Sequence, residues 1–356
     1  MPSHAPDPAS AAPAVATPGT EDAPAVDGSV GVGGYRATRM DPLDRATGAV
    51  LELLVAHGVH AARVEGSSWE ELALARAMRA RRADSGLAVP LLVGGGPVLV
   101  DAPPRSEREY WAHDAGAVDA AIASAVAHDV GWISVAFADP DRAAEAAGRA
   151  HAAGLRVSHR GSAGALEALR PGDHLPDLAG ILADPAPDGS RPSPLAVLLR
   201  WAHEPELGAA RLEAARRLGL SVGSGLVALR RSVFVRESLD APFLEELAPI
   251  LPHTSHIREM KRPGGYLVGK RHLREDAGLT EPGREDAATA ERGWAELLSA
   301  TGAAADLVVP ASRAPQLTSV PGYAWHEECA LLAHAGVDAP ARRGGLLLVA
   351  PARTAG

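Results

Sequence analysis

A strand–helix–strand unit at the centre of the chain limits the fold more than any other feature. Residues 130–137, VGWISVAF, are an apolar run of the buried-strand type. Asp139 and Pro140 follow, a helix cap and a proline suited to the first helical position. An alanine-rich helix then runs to Ala153, Gly154 stops it, and LRVSH at 155–159 opens a second strand. A helical crossover of this length makes the two strands parallel members of one sheet.

The rhythm repeats on both sides. Strand patterns occur near 29–33 and at 59–65, 89–93, 177–182, 220–222 and 307–309. Helical patterns occur at 43–57, 68–82, 115–128 and 195–218, and one more ends at 294–300. The helix at 68 opens with Ser68-x-x-Glu71, a capping box, and Gly94-Gly95-Gly96-Pro97 reads as the break that ends a strand. About eight strands alternating with helices predict a (β/α)8 TIM-like barrel, with an open doubly wound sheet as the alternative. Residues 227–276 interrupt the rhythm after the seventh strand as a charged, largely helical insertion or lid, too long for an ordinary connection.

The chain has 356 residues, of which 46% are hydrophobic but only 4% aromatic, so the core is aliphatic. Its net charge is −9 with the signs mixed along the chain, which argues against nucleic acid as a partner. No apolar run approaches a membrane span. Cys329 is the single cysteine, which rules out an internal disulfide and fits a reducing cytoplasm. Residues 1–26 read as a disordered Ala/Pro-rich tail and 27–340 as the barrel; 341–356 are a C-terminal tail with one candidate strand at 344–349.

The segment at 309–337, VPASRAPQLTSVPGYAWHEECALLAHAGV, combines a strand, a polar loop and an amphipathic helix closed by Gly336. It resembles the last β-loop-α unit of metal-dependent amidohydrolases of the imidazolonepropionase-like kind. There the strand ends in Gly-Thr-Asp-Ala-Pro and the helix opens in a Leu-His-Glu-Glu-Leu-like phrase; here they are Ala311-Ser312-Arg313-Ala314-Pro315 and Trp325-His326-Glu327-Glu328-Cys329. The likeness extends over about 27–337 and includes Gly154 to His159. It implies a barrel with one or two metal ions at the carboxyl ends of the strands. Their ligands would be His-x-His on strand one, a lysine or carboxylate on strand four, histidines on strands five and six, and aspartate on strand eight.

Projected onto this chain, those positions fall at Ser29 and Gly31, at Ser134, at His159, within 178–182, and at Arg313. Only His159 is a ligand of the usual kind, and a guanidinium cannot ligate a divalent cation. A catalytic zinc needs about three protein ligands. The resemblance therefore implies an amidohydrolase-like barrel with a degenerate metal site, without a cofactor, with His159 and Ser134 as catalytic candidates. Arg313, Arg160, Glu65, Lys261 and Tyr266 would bind a small acidic metabolite, the last two from the basic phrase at 261–270. Lyase, isomerase or cyclase chemistry would suit such a pocket. The alternatives are a hydrolase of C–N or C–O bonds with one divalent metal such as zinc, drawing on Glu65, His113, Asp114 or Asp139, and a non-catalytic scaffold subunit. A small β-sandwich made from both chain ends is expected to be absent or vestigial, and an edge strand there leaves a homodimer open.

Overall fold

The computed structural model describes residues 26–30, 43–104, 106–160, 163–182, 184, 192–234, 284–314 and 319–338. Of the candidate lid at 227–276, residues 235–276 with Lys261 and Tyr266 lie outside the described residues, as do residues 1–25 and 341–356 of the two tails.

Strand β1 (Val26–Val30) is followed by helix α1 (Leu43–Ala56), β2 (Ala61–Val64), α2 (Trp69–Asp84), β3 (Leu91–Val100) and β4 (Glu109–Trp111). Then come α3 (Ala115–Ala127), β5 (Trp132–Val135), α4 (Pro140–Ala152), β6 (Arg156–His159) and β7 (His174–Leu175). The last part holds α5 (Pro194–His203), α6 (Pro205–Arg217), β8 (Ser221–Gly223), α7 (Leu226–Val233), α8 (Arg284–Ala303), β9 (Val308–Val309) and α9 (Tyr323–His334). Every described strand pair is parallel, in the order β1-β2-β3-β5-β6-β7-β8-β9, and β4 pairs only with β3.

The sheet curls. Its two end strands share no ladder among the described residues, yet their ends meet through side chains. Asp27 of β1 accepts from the Ser312 backbone N–H at 2.9 Å and from the Ser312 hydroxyl, three residues past β9. All of this is buried.

Local signals place the helices. Ser68 and Glu71 form the reciprocal capping box at the start of α2. Asp114 caps α3, and Asp139 caps α4 just ahead of Pro140. The long 195–218 pattern is two helices, because Pro205 cannot donate the hydrogen bond that would carry α5 into α6. Alternate strand residues, Val64, Leu99, Ile133, Val135, Val157, Leu175, Val222 and Val308, join the helices in one buried aliphatic cluster. The intervening residues face the space that the sheet curls around.

Two segments differ from the expectation. The 177–182 pattern is not a strand: the strand comes earlier, at His174–Leu175, and 179–182 is a 3-10 turn whose Ile181 and Leu182 are buried against the helices. Both solutions bury the same apolar residues, so composition could not separate them. The glycine run does not end β3 either, which continues straight through it with a register shift between Gly95 and Val98. The glycines make room for neighbours: a Cβ would lie 2.6 Å from Leu72 at Gly94, 2.4 Å from the Trp132 indole at Gly95, and 2.1 Å from the Trp69 ring at Gly96.

Gly96→Ala is expected to lower stability by about 1–3 kcal/mol through overpacking of Trp69. Gly148→Ala, in exposed helix α4 where a Cβ meets nothing within 4 Å, should raise it by about 0.5–1 kcal/mol. Urea denaturation of both variants checks the contrast.

Candidate functional site

The register across the sheet builds a polar layer inside the curl. Ser134 on β5 pairs with Ser158 on β6, Ser158 with His174 on β7, and His174 with Ser221 on β8. Register partners on neighbouring parallel strands face the same way, so these four side chains line one wall at one height. All four are buried. Barrel interiors of this type are usually filled by branched apolar side chains; this layer is polar throughout.

Glu65, the first residue beyond β2, reaches into that layer. It accepts from the Ser158 hydroxyl at 3.0 Å and from an Arg160 guanidinium nitrogen at 2.8 Å. Arg63 Nε lies 2.9 Å from its other side, and its guanidinium stacks over the Trp132 ring 4.3 Å from the centroid. Arg63 precedes Glu65 by two residues on β2, and Arg160 follows Ser158 by two at the carboxyl end of β6, so two guanidiniums from different strands contact the carboxylate. His174 Nε2 is 3.8 Å from the same carboxylate, too far for a hydrogen bond, while its Nδ1 is 2.8 Å from Ser221 Oγ.

Burial alone would raise the pKa of Glu65, but Arg63 and then Arg160 outweigh it and hold the carboxyl at about 2. Burial, reinforced by Arg63, lowers His174 to about 3, so the imidazole is neutral. Burial also lowers Arg63 to about 10, against the pull of Glu65, which still leaves it charged at neutral pH. Two guanidiniums thus contact the single carboxylate of Glu65, while Arg156 and Asp173 act on Arg63 more weakly and with opposite signs. The Ser134 hydroxyl and His174 Nε2 are buried there without a hydrogen-bond partner among the described residues.

Ser221, His174 and Glu65 line up in nucleophile–base–acid order. The geometry does not support acyl transfer. Glu65 is committed to Ser158 and two arginines and lies 3.8 Å from the imidazole, and an imidazole with a pKa of about 3 is a weak base at neutral pH. The trio is a buried polar network.

At the carboxyl rim a second ion pair appears. Arg313 contacts Asp177 at 2.8 Å, the former four residues beyond β9 and the latter two beyond β7. Next to it, Glu328 of α9 crosses to the start of α7, where it accepts from the Leu226 and Val227 N–H groups, each at 2.8 Å. Burial raises Glu328 to about 7, opposed by hydrogen bonds from Ser224, Val227 and Leu226.

Of the residues singled out from the sequence, Glu65, Arg160 and Ser134 belong to the axial cluster and Arg313 to the rim. His159 pairs with Val135, whose side chain packs in the helix-side cluster, so register assigns the imidazole to the outer face and Ser158 to the interior. His113 and Asp114 pair with each other at 3.4 Å on an exposed helix start, and Asp139 caps α4. His326 contacts the His57 carbonyl at 2.8 Å, and Glu327 pairs with Arg231 at 2.6 Å. The sequence reading missed Arg63, His174, Ser221 and Asp177. A charged i, i+2 pair, Arg63 and Glu65, in an otherwise apolar strand was the available signal.

No family model and no curated protein matches this sequence. Solved structures do match its fold. A bottromycin amidohydrolase superposes with a TM-score of 0.54 at 18% identity, over 89% of this chain and 64% of its own. A protein assigned as a prolidase from Bifidobacterium longum matches with a TM-score of 0.50 at 13% identity, over 92% of this chain and 67% of its own. The fold of this chain is similar to that of these two structures. This chain spans less than two thirds of the bottromycin amidohydrolase. Amidohydrolase folds are commonly metal-dependent, so the donors around the rim decide whether an ion would fit here. Among the described residues no three His, Cys, Asp or Glu side chains converge to hold one. Two guanidiniums, one caged carboxylate and a neutral imidazole make a poor donor set for a divalent cation. Among the described residues no helix is long and apolar enough to cross a membrane.

The three fully buried groups with large shifts, Glu65, His174 and Glu328, dominate the pH profile. Glu65 and His174 titrate below their ordinary values of 4.5 and 6.5, so their contributions are present above those values and are lost as pH falls. Glu328 is raised from 4.5 to about 7, so its contribution is present below 4.5 and lost as pH rises through about 7. Between 4.5 and 6.5 the His174 and Glu328 slopes oppose each other at about 1.4 kcal/mol per pH unit, and stability should be flat. Below 4.5 Glu65 joins His174 and stability should fall steeply. Glu328→Gln removes one slope, so that variant should lose stability as pH falls from 6.5. Urea titrations at stepped pH read both curves.

Proposed function

We propose that this chain is a closed amidohydrolase-like barrel with a degenerate metal site, binding a small acidic metabolite at its carboxyl mouth without a metal. The observation that carries the reading is the charge balance along the axis. Arg63 and Arg160 outnumber the one carboxylate, Glu65, that stands between them, and His174 adds no compensating charge. An excess guanidinium in a water-poor site is balanced most favourably by an anionic ligand.

Arg160 is the upper member of the pair, and its side chain keeps 16% of its surface exposed, against 1% for Glu65. It can offer donors upward to a ligand carboxylate while remaining anchored to Glu65 from below. The partnerless Ser134 hydroxyl supplies a further donor in the layer beneath. Glu65, held ionised by its arginines, fixes where those donors point. Chemistry that needs a fixed cation and no metal-bound water, of the lyase, isomerase or cyclase type, suits this arrangement better than hydrolysis of an amide. The single thiol, Cys329, packed at intermediate exposure against the helix-side clusters, is compatible with a cytoplasmic setting.

Elemental analysis of the purified protein, with thermal shifts in the presence of small carboxylates and inorganic phosphate, tests the reading. Less than a tenth of an equivalent of zinc, manganese or iron is expected, with a melting temperature that chelator leaves unchanged and carboxylates raise. Arg160→Lys keeps the charge but loses the fork geometry, and should weaken carboxylate binding by about tenfold. One equivalent of tightly held metal, lost with chelator and restored on its return, would replace this proposal with a metal-dependent hydrolase.

A further inference from the structure

We propose that Asp177 is an internal stand-in for the acidic group of the ligand, and that Arg313 receives the ligand's carboxylate when Asp177 is displaced. The inference rests on the reading of an acidic ligand at the mouth and names the residues that exchange it.

Three observations carry it. First, Arg313 is held in a backbone conformation that side chains avoid. Its φ is +52°, and among the described residues Asp129 is the other non-glycine with positive φ. Asp129 lies in a turn behind α3, where a short polar side chain tolerates that geometry. Arginine has no such allowance, and strain of this kind persists where neighbours over-determine it and clusters at ligand sites. The neighbours here are explicit. Ser312 is tied to Asp27 through its backbone N–H and its hydroxyl, and the Ala314 N–H donates back to Ser312 Oγ at 3.1 Å. The residues on either side of Arg313 are thereby fixed, and its side chain is aimed before any ligand arrives.

Second, the pair is built to release one oxygen. Asp177 Oδ1 accepts from the Gly180 N–H inside its own turn, while Oδ2 contacts Arg313 NH1 at 2.8 Å. When a ligand carboxylate takes the guanidinium, Asp177 keeps its local hydrogen bond. The exchange replaces one carboxylate by another on the same donor, so no guanidinium is left unpaired at any stage. The Arg313 side chain retains 30% of its surface exposed against 15% for Asp177, so the arginine is the more accessible partner.

Third, the pair is seated directly against a glycine. Gly225, with φ +62°, sits under both side chains. A Cβ there would lie 2.9 Å from Asp177 Cβ and 3.2 Å from Arg313 Cδ. Any side chain there would press on both partners, so the placement of the pair at the rim requires the glycine.

The test is isothermal titration of the full chain with acetate, succinate and glutarate, on the wild type and on Asp177→Asn, Arg313→Lys and Arg160→Lys. Removing the competing charge should tighten succinate binding to Asp177→Asn by about tenfold, and Arg313→Lys should weaken it by at least as much. Unchanged or weaker binding to Asp177→Asn overturns the inference. Binding that survives Arg313→Lys but falls with Arg160→Lys also overturns it, and leaves the acidic-ligand reading intact. No binding to any of the proteins removes both. If Asp177→Asn does not fold, Asp177→Ser, which retains an acceptor for the Gly180 N–H, gives the same comparison.

Discussion

A carboxylate held between two guanidiniums organises the interior of this protein. Glu65 reaches inward from the end of β2, where Arg63 and Ser158 meet its Oε1 and Arg160 meets its Oε2. None of the three charges could stand there alone. A buried charge without partners costs several kcal/mol, and removing one member of such a set leaves the others uncompensated. The cluster therefore fixes the mutual height of β2, β5 and β6, since Arg63 also stacks on Trp132 of β5 and Ser158 belongs to β6. Burial, reinforced by Arg63 and Arg160, keeps His174 neutral, which lets it accept from or donate to Ser221 without adding charge to the core.

The seam between the two end strands depends on a different solution to the same problem. β1 and β9 meet through Asp27 and Ser312. Glu328 closes the neighbouring gap by accepting the first free N–H groups of α7, groups that no residue within that helix can satisfy. Ser224 links the two, because its oxygen accepts from the Ala311 N–H at 3.0 Å while its hydroxyl stabilises Glu328. Polar contacts, all buried, thus do at the seam what ladder hydrogen bonds do elsewhere in the sheet. In both places the positions near the carboxyl ends of the strands are occupied by ion pairs and hydrogen bonds internal to the chain, and the rim pair of Arg313 and Asp177 continues the pattern.

Much of this was legible in the sequence. The parallel crossover, the capping box at Ser68, the cap at Asp139 and the alternation of strands and helices depend on neighbours within a few residues, and they hold in the structure. Arg160, Glu65 and Ser134 could be picked out because they stand at or near strand ends, where a curled parallel sheet gathers its functional groups. The strand at 174–175 was not legible, since the following apolar residues fit a strand and a 3-10 turn equally well. Nor was β3 running through three glycines, because the reason lies in Leu72, Trp69 and Trp132, which come from other elements.

By itself, then, the sequence determined the order and type of the elements, because caps, prolines and hydrophobic periods act over one or two turns of chain. It also determined the unusual chemistry of the strand ends, since residue identity alone places an arginine at 313 and a serine at 134. Tertiary structure decided which charges meet. Glu65 and Arg160 are 95 positions apart, and their encounter depends on register between strands. A shift of one residue would turn Ser158 outward and His159 inward, and the interior would have a different chemistry. Register is fixed by the helices packed outside the sheet, and that long-range fit is information no local segment carries.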